Sequence, residues 1–155
     1  MKTVDMLIAE YNAFSEADKA VALGKYTMKA ITSCVMYEDN PEEATLALGI
    51  LTYAAILADD RISDEELMLM YRGMQVSLNG EVDWDECQMI AANILNNKAD
   101  FRAGAEKFAG NYLSMWKDND KEDVIMLCIA LCAIDGVISE KEKIWLDELV
   151  AAAQA

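Results

Sequence analysis

Two stretches decide how this chain is read: Leu57-Ala58-Asp59-Asp60-Arg61-Ile62-Ser63-Asp64-Glu65-Glu66 and Ala133-Ile134-Asp135-Gly136-Val137-Ile138-Ser139-Glu140-Lys141-Glu142. They align without a gap, 59 with 135, 62 with 138, 63 with 139 and 66 with 142. Each follows an almost wholly apolar segment and leads into an amphipathic one. A serine with a glutamate three residues later is a capping box: the hydroxyl takes an unpaired amide proton and the carboxylate reaches back to the serine amide. Gly136 can adopt the left-handed conformation that ends a helix, and Ile62 and Ile138 can pin the turn to a core. Each stretch therefore reads as a corner between two helices. Two such corners imply a duplicated helix-corner-helix architecture with related halves, too short an array for a solenoid.

Working outward, apolar spacing predicts helices along the whole chain. Val4, Leu7, Ile8 and Tyr11 form one stripe, and Ala17, Val21, Met28, Ile31 and Val35 a second, behind Ser15 as its cap. Asn40-Pro41-Glu42-Glu43 opens a third helix through Leu46, Ile50, Leu51, Ala54 and Leu57, with proline in its first turn. Leu67, Met70, Tyr71, Met74 and Leu78 mark a fourth, broken by Asn79-Gly80. Asp83 caps a fifth, with Trp84, Cys87, Ala91 and Ile94 inward, and Phe101, Ala105, Phe108, Tyr112 and Met115 trace a sixth. Val124, Leu127, Cys128 and Leu131 follow, then Trp145, Leu146, Leu149 and Val150. No segment alternates with period two. The expected fold is all-α: one domain over residues 1–155, a compact bundle of about seven helices, or eight if the first is separate from the second.

Composition narrows the function. With 54% hydrophobic residues, one proline and seven glycines, 155 residues can bury a real core. Against 13 basic residues stand 28 acidic ones, a net charge of −15. Such a surface repels phosphate backbones and anionic headgroups, so nucleic acid is not an expected partner. Basic protein faces and divalent cations are the natural complements. The longest uncharged apolar stretch, Leu46 to Ala58, is too short to span a bilayer and reads as a helix buried on all sides. The start Met-Lys-Thr-Val-Asp lacks the pattern of a secretory signal. Cys34, Cys87, Cys128 and Cys132 sit in apolar segments with no CxxC pair and no histidine anywhere, which argues against zinc and for buried, reduced thiols. A soluble, cytoplasmic protein without direct membrane insertion is the expectation.

The corners carry the candidate chemistry. Asp-Gly-x-Ile-Ser-x-x-Glu matches the latter half of a calcium-binding EF-hand loop. The loop's first and third ligand positions, however, fall on Leu131 and Ala133, and on Ala55 and Leu57 in the upstream copy, none of which can coordinate a cation. That excludes a working EF-hand and leaves two acidic corners, Asp59, Asp60, Asp64 and Glu66 in one and Asp135, Glu140 and Glu142 in the other. If the halves pack symmetrically, the corners could converge on one divalent ion; the alternative is that these carboxylates only cap helices. No general-base histidine, nucleophile elbow or phosphate-binding glycine loop is present, so no enzyme is expected.

The stretch Leu131 to Glu142 resembles the signature of the tellurite-resistance TerB-like family, an apolar helix, an Asp-Gly, a hydrophobic residue, a cap and a glutamate opening the next helix. The upstream copy, Asp59 to Glu66, fits the family's paired occurrence. In layout the likeness covers roughly residues 16 to 150, and its specific part is these two elements. It implies a compact, non-enzymatic stress-response domain that works alongside cytoplasmic and membrane-associated protein partners and requires no cofactor, with acidic residues that bind metal. Carried over, the metal positions are Asp59, Glu66, Asp135 and Glu142, with calcium or magnesium as the cation. One departure stands out: Asp60-Arg61 occupies the place where the family usually has glycine. Arg61 could pair with a neighbouring carboxylate, which makes the second corner the better ion site. The rival expectation is a metal-free helical scaffold or adaptor that holds a basic or amphipathic partner, with Met68, Met70 and Met74 as an adaptable groove.

Overall fold

Most helices begin where a short polar side chain can take an unpaired amide proton. In the computed structural model, which describes every residue except Leu78, Thr3 accepts from the Met6 amide and opens α1 (Val4–Asn12). Ser15 does the same for α2 (Glu16–Tyr37), and Asn40, followed by Pro41, for α3 (Pro41–Ile56). Ser63 opens α4 (Asp64–Ser77) and Asp83 opens α5 (Trp84–Asn96). Then come α6 (Lys98–Asn111), α7 (Asp118–Cys132) and α8 (Glu140–Gln154), the last capped by Ser139. Among the described residues there are eight α-helices and no strand; α1 and α2 are separate, which makes the eighth. Short 3-10 turns close α3 (Leu57–Asp59) and α7 (Ala133–Asp135), and a third, Leu113–Met115, follows α6.

The centre of the molecule is α7. Every residue from Val124 to Cys132 is buried, and α1, α2, α3 and α8 all pack on this helix. A helix enclosed on all sides must be apolar all round, as this one is. Its one buried charge, Lys121, donates from Nζ to the Ala153 carbonyl at 3.0 Å, meeting an unpaired carbonyl at the end of α8. The sequence points instead to Leu46–Ala58 as the enclosed helix. That expectation is corrected: Leu46 is 74% exposed and Ile50 only partly covered, because α3 buries one face against α6 and α7. The approach of α3 to α6 is close: a Cβ at Gly104 would lie 2.5 Å from Ile50 Cγ2.

A second correction concerns α2. Its core face is Ala22, Tyr26, Ala30, Ser33 and Cys34, whereas Ala17, Val21, Met28 and Val35 point to solvent. This helix is apolar around most of its circumference, so spacing alone offers two stripes. The larger residues look like the core stripe, but the other face, small everywhere except at Tyr26, is what lets α2 lie along the bulky α7. In α4, Met70 and Met74 are core residues and only Met68 reaches the surface, so the three do not form one methionine face. Leu78 lies outside the described residues. Met115, placed with the sixth helix by spacing, sits exposed in a 3-10 turn. No helix among the described residues is long and apolar enough to cross a membrane.

Candidate functional site: two facing acidic corners

Both corners use the same backbone. After each 3-10 turn comes a residue with positive φ, Asp60 at 65° and Gly136 at 105°, whose amide donates to the carbonyl three residues back at 2.9 Å. Three residues further on stands the capping serine. At the first corner the Ser63 amide donates to Glu66 Oε1 at 2.9 Å and the Glu66 amide to Ser63 Oγ at 3.2 Å. At the second the matching distances are 2.8 and 3.2 Å, between Ser139 and Glu142. The glutamate does more than cap: it is drawn inward beneath its own turn, and both Glu66 and Glu142 are buried.

The fold brings the corners face to face. The turn at Leu57–Asp59 packs against α8, the helix that the other corner starts, and the turn at Ala133–Asp135 packs against α4. Arg61 spans the gap. Its Nε donates to Asp59 Oδ2 at 3.1 Å and its Nη2 to Asp135 Oδ2 at 3.4 Å, so one guanidinium holds a carboxylate from each corner. All four sequence-selected residues, Asp59, Glu66, Asp135 and Glu142, therefore share one locality. Burial pushes the Glu66 carboxyl up to about 7; Asp59 and Asp135 add to the rise, and the hydrogen bonds from Ser63 oppose it. Glu142 is raised by the same causes, burial first, against its bonds to Ser139. Two buried oxygens, Glu66 Oε2 and Asp135 Oδ1, have no hydrogen-bond partner among the described residues.

Spacing in the sequence does not reveal the groups that complete the site. Cys132 lies under it, its Sγ 3.7 Å from the Ala55 carbonyl; burial first, then Glu142, raises its thiol well above the ordinary range. On the outer side, Asp60 gathers Arg102 at 2.7 Å, Lys98 at 3.1 Å and Lys141 at 3.2 Å. These cations, Arg102 foremost, hold the Asp60 carboxyl well below the usual carboxylate range. Arg102 also donates to the Leu57 carbonyl, so α6 and α8 are both tied to the first corner. The signal for this was the aspartate at a position that favours glycine: a strained left-handed aspartate needs compensation from its surroundings.

Carboxylate oxygens are the donors that hard cations such as calcium and magnesium prefer, and the two unpartnered oxygens call for a proton or a cation. The arrangement, however, does not itself make a cage. Among the described residues, no group of three or more His, Cys, Asp or Glu side chains is disposed to hold a metal ion. The Arg61 guanidinium stands between the two aspartates instead.

No protein-family model, curated protein or solved structure matches the chain.

Proposed function

We propose that this chain is a non-enzymatic binding domain of the TerB-like, tellurite-resistance type, a stress-response module built as two pseudo-repeated helix-corner-helix units. It acts by holding basic or membrane-associated proteins, and its facing acidic corners take a divalent cation, calcium or magnesium, when Arg61 gives up its place. The supporting observation is that Asp59 and Asp135, one from each corner, share the Arg61 guanidinium, with Glu66 and Glu142 buried in the same locality and two carboxylate oxygens left unpaired among the described residues. A tethered arginine is the cation that such a cluster accepts when no dication is present; a dication offers twice the charge to hard oxygen donors. The corner design, repeated down to a tenth of an ångström in its capping bonds, supports the duplicated architecture and with it the resemblance.

The test is a calcium and magnesium titration followed by amide NMR on the wild-type chain and on Arg61→Gly. Saturable shifts confined to residues 57–66 and 133–142, tighter in Arg61→Gly and abolished in Asp135→Ala, are expected. Shifts scattered over the acidic surface in both proteins would overturn the cation reading.

The rival reading, a metal-free scaffold, draws on a different observation. A groove of ≈ 880 Å³ runs between α1, α2, α4 and the second corner, floored by Ile8, Leu23, Leu69, Ile134 and Ile138. It suits the apolar face of a partner helix.

A further inference from the structure

We propose that α2 is a self-association surface and that its occupant is α2 of a second copy of this chain, packed antiparallel. The helix spans Glu16–Tyr37, about 33 Å at 1.5 Å per residue. Along its outer side runs an apolar row alternating at three and four residues: Ala17, Val21, Gly24, Met28 and Val35 are exposed, and Ile31 stands half-buried at the edge, where the row meets the core. Val21, Met28 and Val35 are 60%, 63% and 61% exposed. That spacing is the seam of a paired helix, and α7 already claims the opposite face.

The row is complementary to itself in one direction. About the middle of α2, antiparallel pairing sets Met28 against the second copy's Gly24, Val35 against its Ala17 and Val21 against its Ile31. Large meets small at the Met28–Gly24 and Val35–Ala17 layers, while Val21 and Ile31 meet as two branched side chains; a Cβ at Gly24 would have nothing within 4 Å, so the notch is open. Parallel pairing sets Met28 on Met28 and Gly24 on Gly24, a bulge beside a void.

Charge selects the same occupant. At −15, two copies repel each other wherever their acidic faces meet. The apolar row carries no charge, and α2 as a whole has three lysines against Glu16 and Asp18. It is a surface on which two copies can approach, and a basic partner would be drawn elsewhere, to the acidic faces. The consequence is a signature in salt: screening the repulsion strengthens self-association, whereas a basic partner's binding weakens.

Sedimentation equilibrium of the full chain, from micromolar to millimolar concentration at low and high salt, reads this directly. The mass is expected to rise from 17.2 kDa toward twice that value, at lower concentration in high salt. Met28→Glu, at an exposed position, should lower the association constant at least ~100-fold and leave the helical circular dichroism and melting temperature unchanged, while Met28→Leu keeps the dimer. A wild-type chain of monomer mass at millimolar concentration in high salt overturns the proposal. A dimer insensitive to Met28→Glu does so too, by placing the contact elsewhere. If the wild-type chain is a monomer that floats with phosphatidylcholine vesicles and Met28→Glu does not, the face serves a lipid surface and the proposal falls.

Discussion

The two corners share a backbone and differ in what hangs from it. At the second corner the left-handed residue is Gly136 and the next is Val137, an exposed side chain with no ionic task. At the first corner the same two places hold Asp60 and Arg61. Asp60 draws Lys98, Arg102 and Lys141 onto the turn, and Arg61 reaches across to Asp135. One corner is thus conformationally relaxed and enters the ion pairs only through Asp135 and Lys141; the other tolerates a strained aspartate and holds the arginine that spans both. The lesson is that a repeated turn preserves its hydrogen bonds while most of the electrostatic load gathers at one copy.

The largest expected effect concerns the buried glutamates beneath the corners. Glu66 has a folded-state value near 7 against an ordinary 4.5, so it binds its proton more tightly in the folded chain. Its contribution to stability is complete below about pH 4.5 and is lost as pH rises through about 7, a swing of roughly 3 kcal/mol at most by linkage. Urea titrations from pH 4.5 to 8 should show this fall. Glu66→Gln, which keeps the capping geometry, should flatten it more than Glu142→Gln does. Equal flattening by the two would erase the asymmetry between the corners.

Next in size is the exchange of the left-handed residues. Gly136→Val places a β-branched residue at φ 105° and should destabilise by about 2 kcal/mol. Asp60→Gly relieves backbone strain as it removes three half-exposed ion pairs, and should change the melting midpoint much less. The reverse order would show that Asp60 is a structural keystone. Smallest are the caps: Ser63→Ala and Ser139→Ala should each cost about 1 kcal/mol, and similar losses would sharpen the claim that the backbone design is common to both corners.

Much of this was legible in the sequence because its signals are local. The capping boxes at Ser63 and Ser139, the proline start at Pro41, the Asp83 cap and the absence of alternation all follow from neighbouring residues, and so does the all-helical class. Face assignment was harder. In α2, Val21, Met28 and Val35 lie outside because the fold favours a face of mostly small residues, with Tyr26 the exception, for contact with α7, a property of the partner helix rather than of α2 itself. Leu46 misled for a similar reason: an uncharged run shows that burial is possible, not that neighbours suffice to provide it. At the site, the acidic positions could be read from the repeat. The cations that answer Asp60 come from Lys98, Arg102 and Lys141, 38, 42 and 81 residues away, which no local pattern connects.

The four thiols make the chain its own stopwatch. Cys34, Cys87, Cys128 and Cys132 are free and sealed from solvent, and burial, its largest cause, raises Cys34 to about 11. A neutral alkylating reagent can then modify each only after its helix lifts away, so labelling kinetics time the opening of separate parts of the bundle. Cys87 rides on α5, which packs mainly on α4 and α6, and Cys128 and Cys132 lie in the enclosed α7. The outer thiol should tick first, and the inner pair only when the whole molecule comes apart.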